Sequence, residues 1–418
     1  MGDTAIAANV CGTEPSRRCC RDSCFARTNQ RDDDAVSHAG AEGDAWVFSS
    51  EELARRRVAF EDLMASAGVS QAVVYGANRS GAAVPWLTSW PVTREAHVPV
   101  TPGEPFVLLV PYHNRIANAE RLAVDSEVHW ASPDPVATLT DRPAGRATGP
   151  VAVGPLPYDQ HRSLGASRSL NPLDRGYVGP SRTKSDEEIA AFCGAAELAE
   201  HAAEMLTGRD SVGATEHELS ALVEAASIAR GGSHHIRYLR VTSMIEPDRC
   251  VPLPWPSDRL PKIGDLLTFA LSASAAPDYA GQLLRTFTVG AEPTSLLADL
   301  HDAASAALEA VEGRLRAGVL PAELVEAASV DEAAGFTTVD TLVHDFGGGH
   351  IPPVLGSPSR QLTPPPDDPL EAGMTVVVQP NVVTNDRRLG VQTSELPLVT
   401  ESVPQRLHAF PGGLGRAA

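Results

Sequence analysis

The chain has 418 residues, a formal net charge of −19, 43% hydrophobic residues and 21% charged residues. That balance fits a globular chain of two or three domains whose core needs no disulfide staples. The acidic surplus argues against nucleic acid as a partner, because phosphate binding relies on clustered Lys and Arg. No apolar run is long enough to predict a membrane-spanning helix.

Residues 1–47 are polar, charged and aperiodic, which predicts a disordered N-terminal extension. Cys11, Cys19, Cys20 and Cys24 crowd into it, at spacings that match no metal-binding pattern. Met1-Gly2-Asp3-Thr4 lacks the basic-then-apolar order of a secretory leader, so a cytoplasmic location is expected. Cys193 and Cys250 read as reduced thiols.

A first domain is expected over residues 48–181, linker included. It opens with a helix from Ser50 to Met64 that offers Leu53, Phe60, Leu63 and Met64 to a core, and Gly68 can end it. Ala72–Tyr75 and Phe106–Val110 are short apolar runs that read as buried strands, giving a small α/β domain. From Ala131 to Pro180 the chain is rich in Pro, Gly and Ser. It reads as loop and linker apart from a candidate strand at Val151-Ala152-Val153.

A larger domain is expected over residues 182–418. Ser185 with Glu188, and Thr215 with Glu218, are capping boxes in which hydroxyl and carboxylate each satisfy an orphan backbone N–H. Ile189, Phe192, Ala196, Ala199 and Ala203 supply one apolar helical face. Gly213, Glu218 and Leu219 recur at identical offsets as Gly318, Glu323 and Leu324. Each set follows a long amphipathic helix, about 186–208 and about 294–316, and a duplicated two-helix half or chance similarity accounts for it equally well. Strands are predicted at Asp265–Leu271, Leu283–Val289, Met374–Val378 and Leu396–Val399. Helices on one side of a mostly antiparallel sheet make an α+β domain.

Five motifs then carry a resemblance: Arg182-x-Lys184-Ser185-x-Glu187-Glu188-Ile189, Gly264-Asp265, Arg285-Thr286-Phe287-Thr288-Val289-Gly290, His344 to Pro353, and Gly373-Met374 leading to Pro380. In order and spacing they resemble the pita-bread superfamily of creatinase, proline-specific aminopeptidases and methionine aminopeptidase, over roughly residues 50–405. The resemblance implies an α+β fold. Its pita-bread C-terminal domain has two pseudo-duplicated halves, and a smaller α/β creatinase-like N-terminal domain precedes it.

The superfamily's peptidases hold two divalent metals with two Asp, one His and two Glu, because hard oxygen ligands neutralise paired cations and activate bridging water. The resemblance places these positions on Ala270, Gln282, His344, Gln379 and either Glu395, with one residue inserted after Gly390, or Ser394 without it. A methyl group and two neutral amides cannot offset two divalent charges, so no metal and no cofactor are expected. Leu253 stands where relatives place a His ahead of Pro-Ser-Asp-Arg, and upstream His234 and His235 could fold back in its stead.

The candidate catalytic residues are His344, His350 and Glu395, and the candidate substrate-binding residues are Gln282, Gln379, Arg285 and Asn381. An imidazole near neutral pH serves as acid or base. The glutamines suit an amide-like ligand or simply pair with one another. Arg285 pairs with Glu395 or with a substrate carboxylate, and the structural pairing is the one expected. Trp86 and Trp90 either reach a neighbouring subunit's pocket, as the resemblance to creatinase-like dimers implies, or pack in a core. The expected function is metal-independent hydrolysis, or related C–N bond chemistry, on a small polar amide, urea or cyclic amidine. The alternatives are a catalytically inactive peptidase-like binding protein and a residual Xaa-Pro aminopeptidase. The expected partners are a small-molecule substrate and a second copy in a homodimer.

Overall fold

The computed structural model describes residues 48–78, 82–132, 135, 148–151, 156–167, 170–208, 213–275, 279–346, 350–361 and 363–417. The expected N-terminal extension with its four cysteines lies outside them, as do Ala152, Val153, Gly347, Gly348, Gly349 and Asp278.

Helix α1 (Ser50–Ser66) starts at an N-cap in which Ser49 Oγ accepts from Glu52 N at 3.1 Å. Leu53, Phe60 and Met64 are buried along it, and Leu63 packs at the edge of the same core. A five-stranded sheet follows, in the order β4-β3-β2-β1-β5. Its strands are β1 (Gln71–Ala77), β2 (Glu95–Val100), β3 (Phe106–Val110), β4 (Ser126–Trp130) and β5 (Thr148–Val151). β1 and β3 lie on the expected apolar runs. β2 and β4 fall outside the expected strands, because Pro99 interrupts one and the other is a mostly exposed edge strand without an apolar face. Short helices α2 (Ala83–Thr88) and α3 (Ile116–Leu122) connect strands of this sheet.

One expectation needs correction here, and one alternative is decided. The stretch read as linker carries helices α4 (Tyr158–Ser167) and α5 (Asp174–Arg182). Leu173 and Tyr177 bury against Phe60 and Trp86, and that burial outweighs the local Pro and Gly content. Trp86 and Trp90 are 4% and 2% exposed within the same core, so neither is offered to a neighbouring subunit.

The second domain begins with α6 (Asp186–Thr207) and α7 (Glu216–Ile228), which open on the two expected capping boxes. Their apolar faces pack on a sheet ordered β17-β8-β7-β6. It is built from β6 (Ser233–Ser243), β7 (Asp265–Ser274), β8 (Ala280–Val289) and, after all the other strands in the chain, β17 (Gly415–Ala417). β6 was not expected. Its Ser-His-His-Ile-Arg-Tyr-Leu-Arg run puts polar residues on both faces, and a register shift between His234 and Ile236 breaks the alternation. Gly281 permits the close seat of α6 on β8, since a Cβ there would lie 2.4 Å from the carbonyl carbon and oxygen of Ala195.

The second half contains α8 (Ser295–Glu312), α9 (Pro321–Ala327) and α10 (Val330–Ala333). Its strands are β9 (Thr337–Thr338), β10 (Val343–Phe346), β11 (His350–Leu355), β12 (Val376–Val378), β13 (Asn381–Val383), β14 (Gly390–Gln392), β15 (Pro397–Leu398) and β16 (Gln405–Arg406). They form sheets ordered β11-β10-β12 and β14-β13-β9, and a β15-β16 pair. The sequence repeat has a backbone counterpart. Gly213 and Gly318 take left-handed φ of +94° and +83°, as do Gly264 and Gly373 at +90° and +93°. Glu218 accepts from Thr215 N at 2.7 Å and Glu323 from Leu320 N at 3.1 Å. The same turn and the same reach-back to the helix start therefore occur in both halves, which favours duplication over chance.

The two domains share a buried polar knot. Glu188 of α6 accepts from Ser185 N (2.9 Å), Trp86 Nε1 (3.1 Å) and Tyr279 Oη (2.7 Å), and pairs with Arg55 (3.1 Å) and Arg56 (3.5 Å). Phe48 and Leu53 pack beside it against Phe192, Tyr279 and Leu396. Among the described residues no helix is long and apolar enough to cross a membrane.

Candidate functional site

Side chains alternate between the faces of a strand, and this decides what lines the interior between the halves. In β7 and β8, Leu267, Phe269, Leu271, Leu283 and Phe287 join the core under α6 and α7. Thr268, Ala270, Ser272, Gln282, Leu284 and Thr286 therefore point to the other face, where Ser272 stands opposite Gln282 and Ala270 opposite Leu284. In β13 and β14, Val382 and Val391 pack with Leu297 and Leu300 of α8, which turns Asn381 and Gln392 the other way.

These two faces meet. Thr286 Oγ1 donates to Gln392 O (3.0 Å) and accepts from Gln392 N (2.9 Å), and Ser394 Oγ accepts from Leu284 N (2.9 Å). Gln282 Nε2 donates to Gln379 Oε1. Gln379 Nε2 in turn donates to Thr341 O (3.1 Å) and Thr341 Oγ1 (3.0 Å). Ser272 Oγ reaches Gln282 Oε1 at 3.5 Å. The two glutamines are thus brought together, and they spend their amides on each other and on Thr341.

His344 is fully buried in β10, with Nδ1 at 3.2 Å from Asp345 O; a carbonyl acceptor calls for the proton on that nitrogen. The next residue anchors the strand. Asp345 Oδ1 lies 3.4 Å from Lys184 Nζ, which also donates to Ser181 O and Arg182 O at 2.8 Å each. The Lys184 of the domain-junction motif therefore holds the strand that carries His344. His350 opens β11 opposite Phe346, and its side chain lies outside what is described.

Arg285 and Glu395 are not part of the interior face. Arg285 leaves β8 on the side opposite Gln282 and donates to Glu395 Oε1 at 2.8 Å, to Pro411 O at 3.0 Å and to Ser394 O. Burial pulls its guanidinium below the ordinary range, and Glu395 pulls it back up. Glu395 is also within 3.7 Å of Arg406. The structural pairing expected for Arg285 is present, whereas Glu395 is not gathered with the histidine and the glutamines. Of the two alignments of the last ligand position, the interior face holds Ser394. A one-residue shift along a strand exchanges the two faces, which is why sequence spacing alone left the choice open. His234 does not fold into the site either. Its Nε2 lies 2.7 Å from Ser227 Oγ and 3.1 Å from Val223 O, on the helix side of the sheet. Sequence reasoning missed Thr341 and Gln392; alternation from Gly390 along β14 could have placed the latter.

Residues 191–401, half of the chain, match the sequence pattern of metallopeptidase family M24. The chain belongs to metallopeptidase family M24. This M24 chain is similar in fold to the prolidase from Pyrococcus horikoshii OT3 (TM-score 0.72, 18% identity, 87% of this chain and 100% of that one covered). It is likewise similar to dipeptidase PepE from Mycobacterium ulcerans (0.71, 19%, 89% and 100%) and to the Xaa-Pro dipeptidase from Bacillus anthracis (0.69, 20%, 88% and 99%). No curated protein matches it by sequence. The fold is thus the pita-bread arrangement, α+β, with an N-terminal domain ahead of it.

The M24 family name implies metal, and the residues present do not fit one. Ala270 has no donor atom, the Gln282 and Gln379 amides are mutually bonded, and Ser394 serves a backbone N–H. Among the described residues no three His, Cys, Asp or Glu gather closely enough to hold an ion.

Proposed function

We propose that this M24 chain is a metal-independent member of its family whose interior site takes a small, uncharged amide-, urea- or amidine-like molecule. His344 and His350 are then the groups available for acid–base work on its C–N bond. The observation that carries this reading is the Gln282–Gln379 hydrogen bond. Two neutral amides satisfy one another at the positions that the resemblance gives to metal-bound carboxylates, and the second N–H of Gln282 is left for a ligand.

The test is metal content followed by turnover. Purified protein should carry well under one equivalent of manganese, cobalt or zinc, and a chelator should leave its melting temperature unchanged. Release of ammonia or amine from a panel of amides, ureas and cyclic amidines, lost in His344→Ala and His350→Ala, is the expected outcome. Two tightly held metal ions per chain, or cleavage of X-Pro dipeptides, would overturn the proposal. A second reading, binding without turnover, is favoured by the commitment of Glu395 to Arg285, which leaves the interior face without a carboxylate among the described residues. Ligand-induced thermal stabilisation with no product from any member of the panel would select it.

A further inference from the structure

Asn381 and Gln392 are 1% and 5% exposed. Among the described residues, Asn381 Nδ2, Asn381 Oδ1 and Gln392 Oε1 are buried without a hydrogen-bond partner. Buried polar side-chain atoms are paired in the large majority of proteins, and each exception asks for a reason. The two residues are direct cross-strand partners in β13 and β14. Gln392 N and O both turn to Thr286 Oγ1, and Asn381 O accepts from Val339 N at 3.0 Å. Their backbones therefore face away from one another, the arrangement that sets opposed Cα atoms at the closer spacing, about 4.5 Å. Both side chains leave on the interior face, away from Val382 and Val391.

We infer that Asn381 and Gln392 form a recognition site for a terminal primary carboxamide or a urea head. The inference rests on the reading that the interior takes an uncharged molecule, and it names the head group and the residues that hold it. The unpartnered atoms are two acceptors and one donor. A primary carboxamide supplies their complement. Its carbonyl accepts from Asn381 Nδ2, one N–H returns to Asn381 Oδ1 to close a two-bond ring, and the second N–H reaches Gln392 Oε1. Exchanging the nitrogen and oxygen of the Asn381 amide leaves the same count of one donor and one acceptor. A carboxylate would bring a negative charge into a buried place where Asn381 and Gln392 offer only neutral amides, so the site selects against it. An ester or a tertiary amide lacks the N–H groups. Selectivity of this kind is strong because the rejected analogue leaves buried polar groups unpaired.

The experiment uses the full chain with acetamide, N-methylacetamide, N,N-dimethylacetamide and acetate, followed by ligand-observed NMR titration. Acetamide should bind saturably, N-methylacetamide roughly tenfold more weakly for one N–H lost, and the dimethyl compound and acetate not detectably. Asn381→Leu should abolish acetamide binding while leaving the melting temperature of the free protein equal or higher, because it removes atoms that no described residue satisfies. A mere structural role for Asn381 would instead lower that temperature. Gln392→Met should weaken acetamide roughly tenfold. Should the leucine variant not accumulate, Gln392→Met and the probe series decide on the same terms. Equal binding of acetamide and dimethylacetamide, persistence of acetamide binding in Asn381→Leu, or no saturable acetamide binding would overturn the inference. Bound metal would sink the preceding proposal without altering the order of the probes. Acetamide binding with no product from any member of the panel would leave this inference standing and remove the catalytic one.

Discussion

Gln282 and Gln379 show how neutral side chains hold a wall that relatives build from charge. Removing the donor in Gln282→Ala leaves Gln379 Oε1 buried and unmatched, at a cost of about 1–3 kcal/mol. Thermal unfolding should show a lower melting temperature. Asp331 makes a separate prediction. It is fully buried, with Oδ1 accepting from Glu332 N at 2.6 Å, and burial pushes its carboxyl up to about 6. The native state then holds this proton more tightly than the unfolded chain does. Its stabilising share is complete in acid and is lost as pH rises from the ordinary aspartate range through about 6. Asp331→Asn should raise the melting temperature more at pH 7 than at pH 4, and an equal change at both would count against the assignment. At this scale the resemblance to the superfamily implied which residues stand at the ligand positions, Ala270, Gln282 and Gln379 among them. It could not show which face of β14's continuation carries Ser394 and which carries Glu395, because that is settled by pairing with β8.

Capping boxes were the most readable elements, and α6 gives the reason. Ser185 and Glu188 satisfy orphan N–H groups within one turn, so the signal is local. The same Glu188 has a long-range role that no local pattern announces, since Trp86, Tyr279, Arg55 and Arg56 arrive from elsewhere in the chain. Ser185→Ala should cost about 1 kcal/mol, the loss of a cap. Glu188→Ala should cost about 3–5 kcal/mol, because it strands buried cations. Comparable losses in the two variants, measured by chemical denaturation, would mean the knot adds little. β6 was hidden for a related reason. Arg237 pairs with Glu224 and Arg240 bonds Gly390 O and Thr268 Oγ1, so tertiary partners make room for charges that spoil an apolar alternation. Helices α4 and α5 were hidden by composition, because turn-forming residues dominate the windows that contain them.

Across the molecule, the N-terminal domain is joined to the second domain by packing as well as by chain. Phe48 and Leu53 belong to the same cluster as Phe192, Tyr279, Leu396 and Leu407. A chain that begins at residue 182 would bare this cluster and the Glu188 carboxylate, and it should aggregate on expression; a soluble, monomeric fragment with native circular dichroism would contradict the coupling. The overall architecture was readable from the order and spacing of five motifs, whereas the repeated glycines and glutamates alone left duplication and chance equally open. The partition of polar groups inside it was not readable, since that depends on how two sheets meet. The contact at Gly281 has a further consequence. α6 is a 22-residue helix that starts in the Glu188 knot and rests its backbone on β8 one residue before Gln282. Such a rod transmits tilt along its length, as a lever resting on a fulcrum does. Even the methyl group of Gly281→Ala would meet the Ala195 carbonyl at 2.4 Å and wedge the lever upward, one residue from Gln282 on the inner wall.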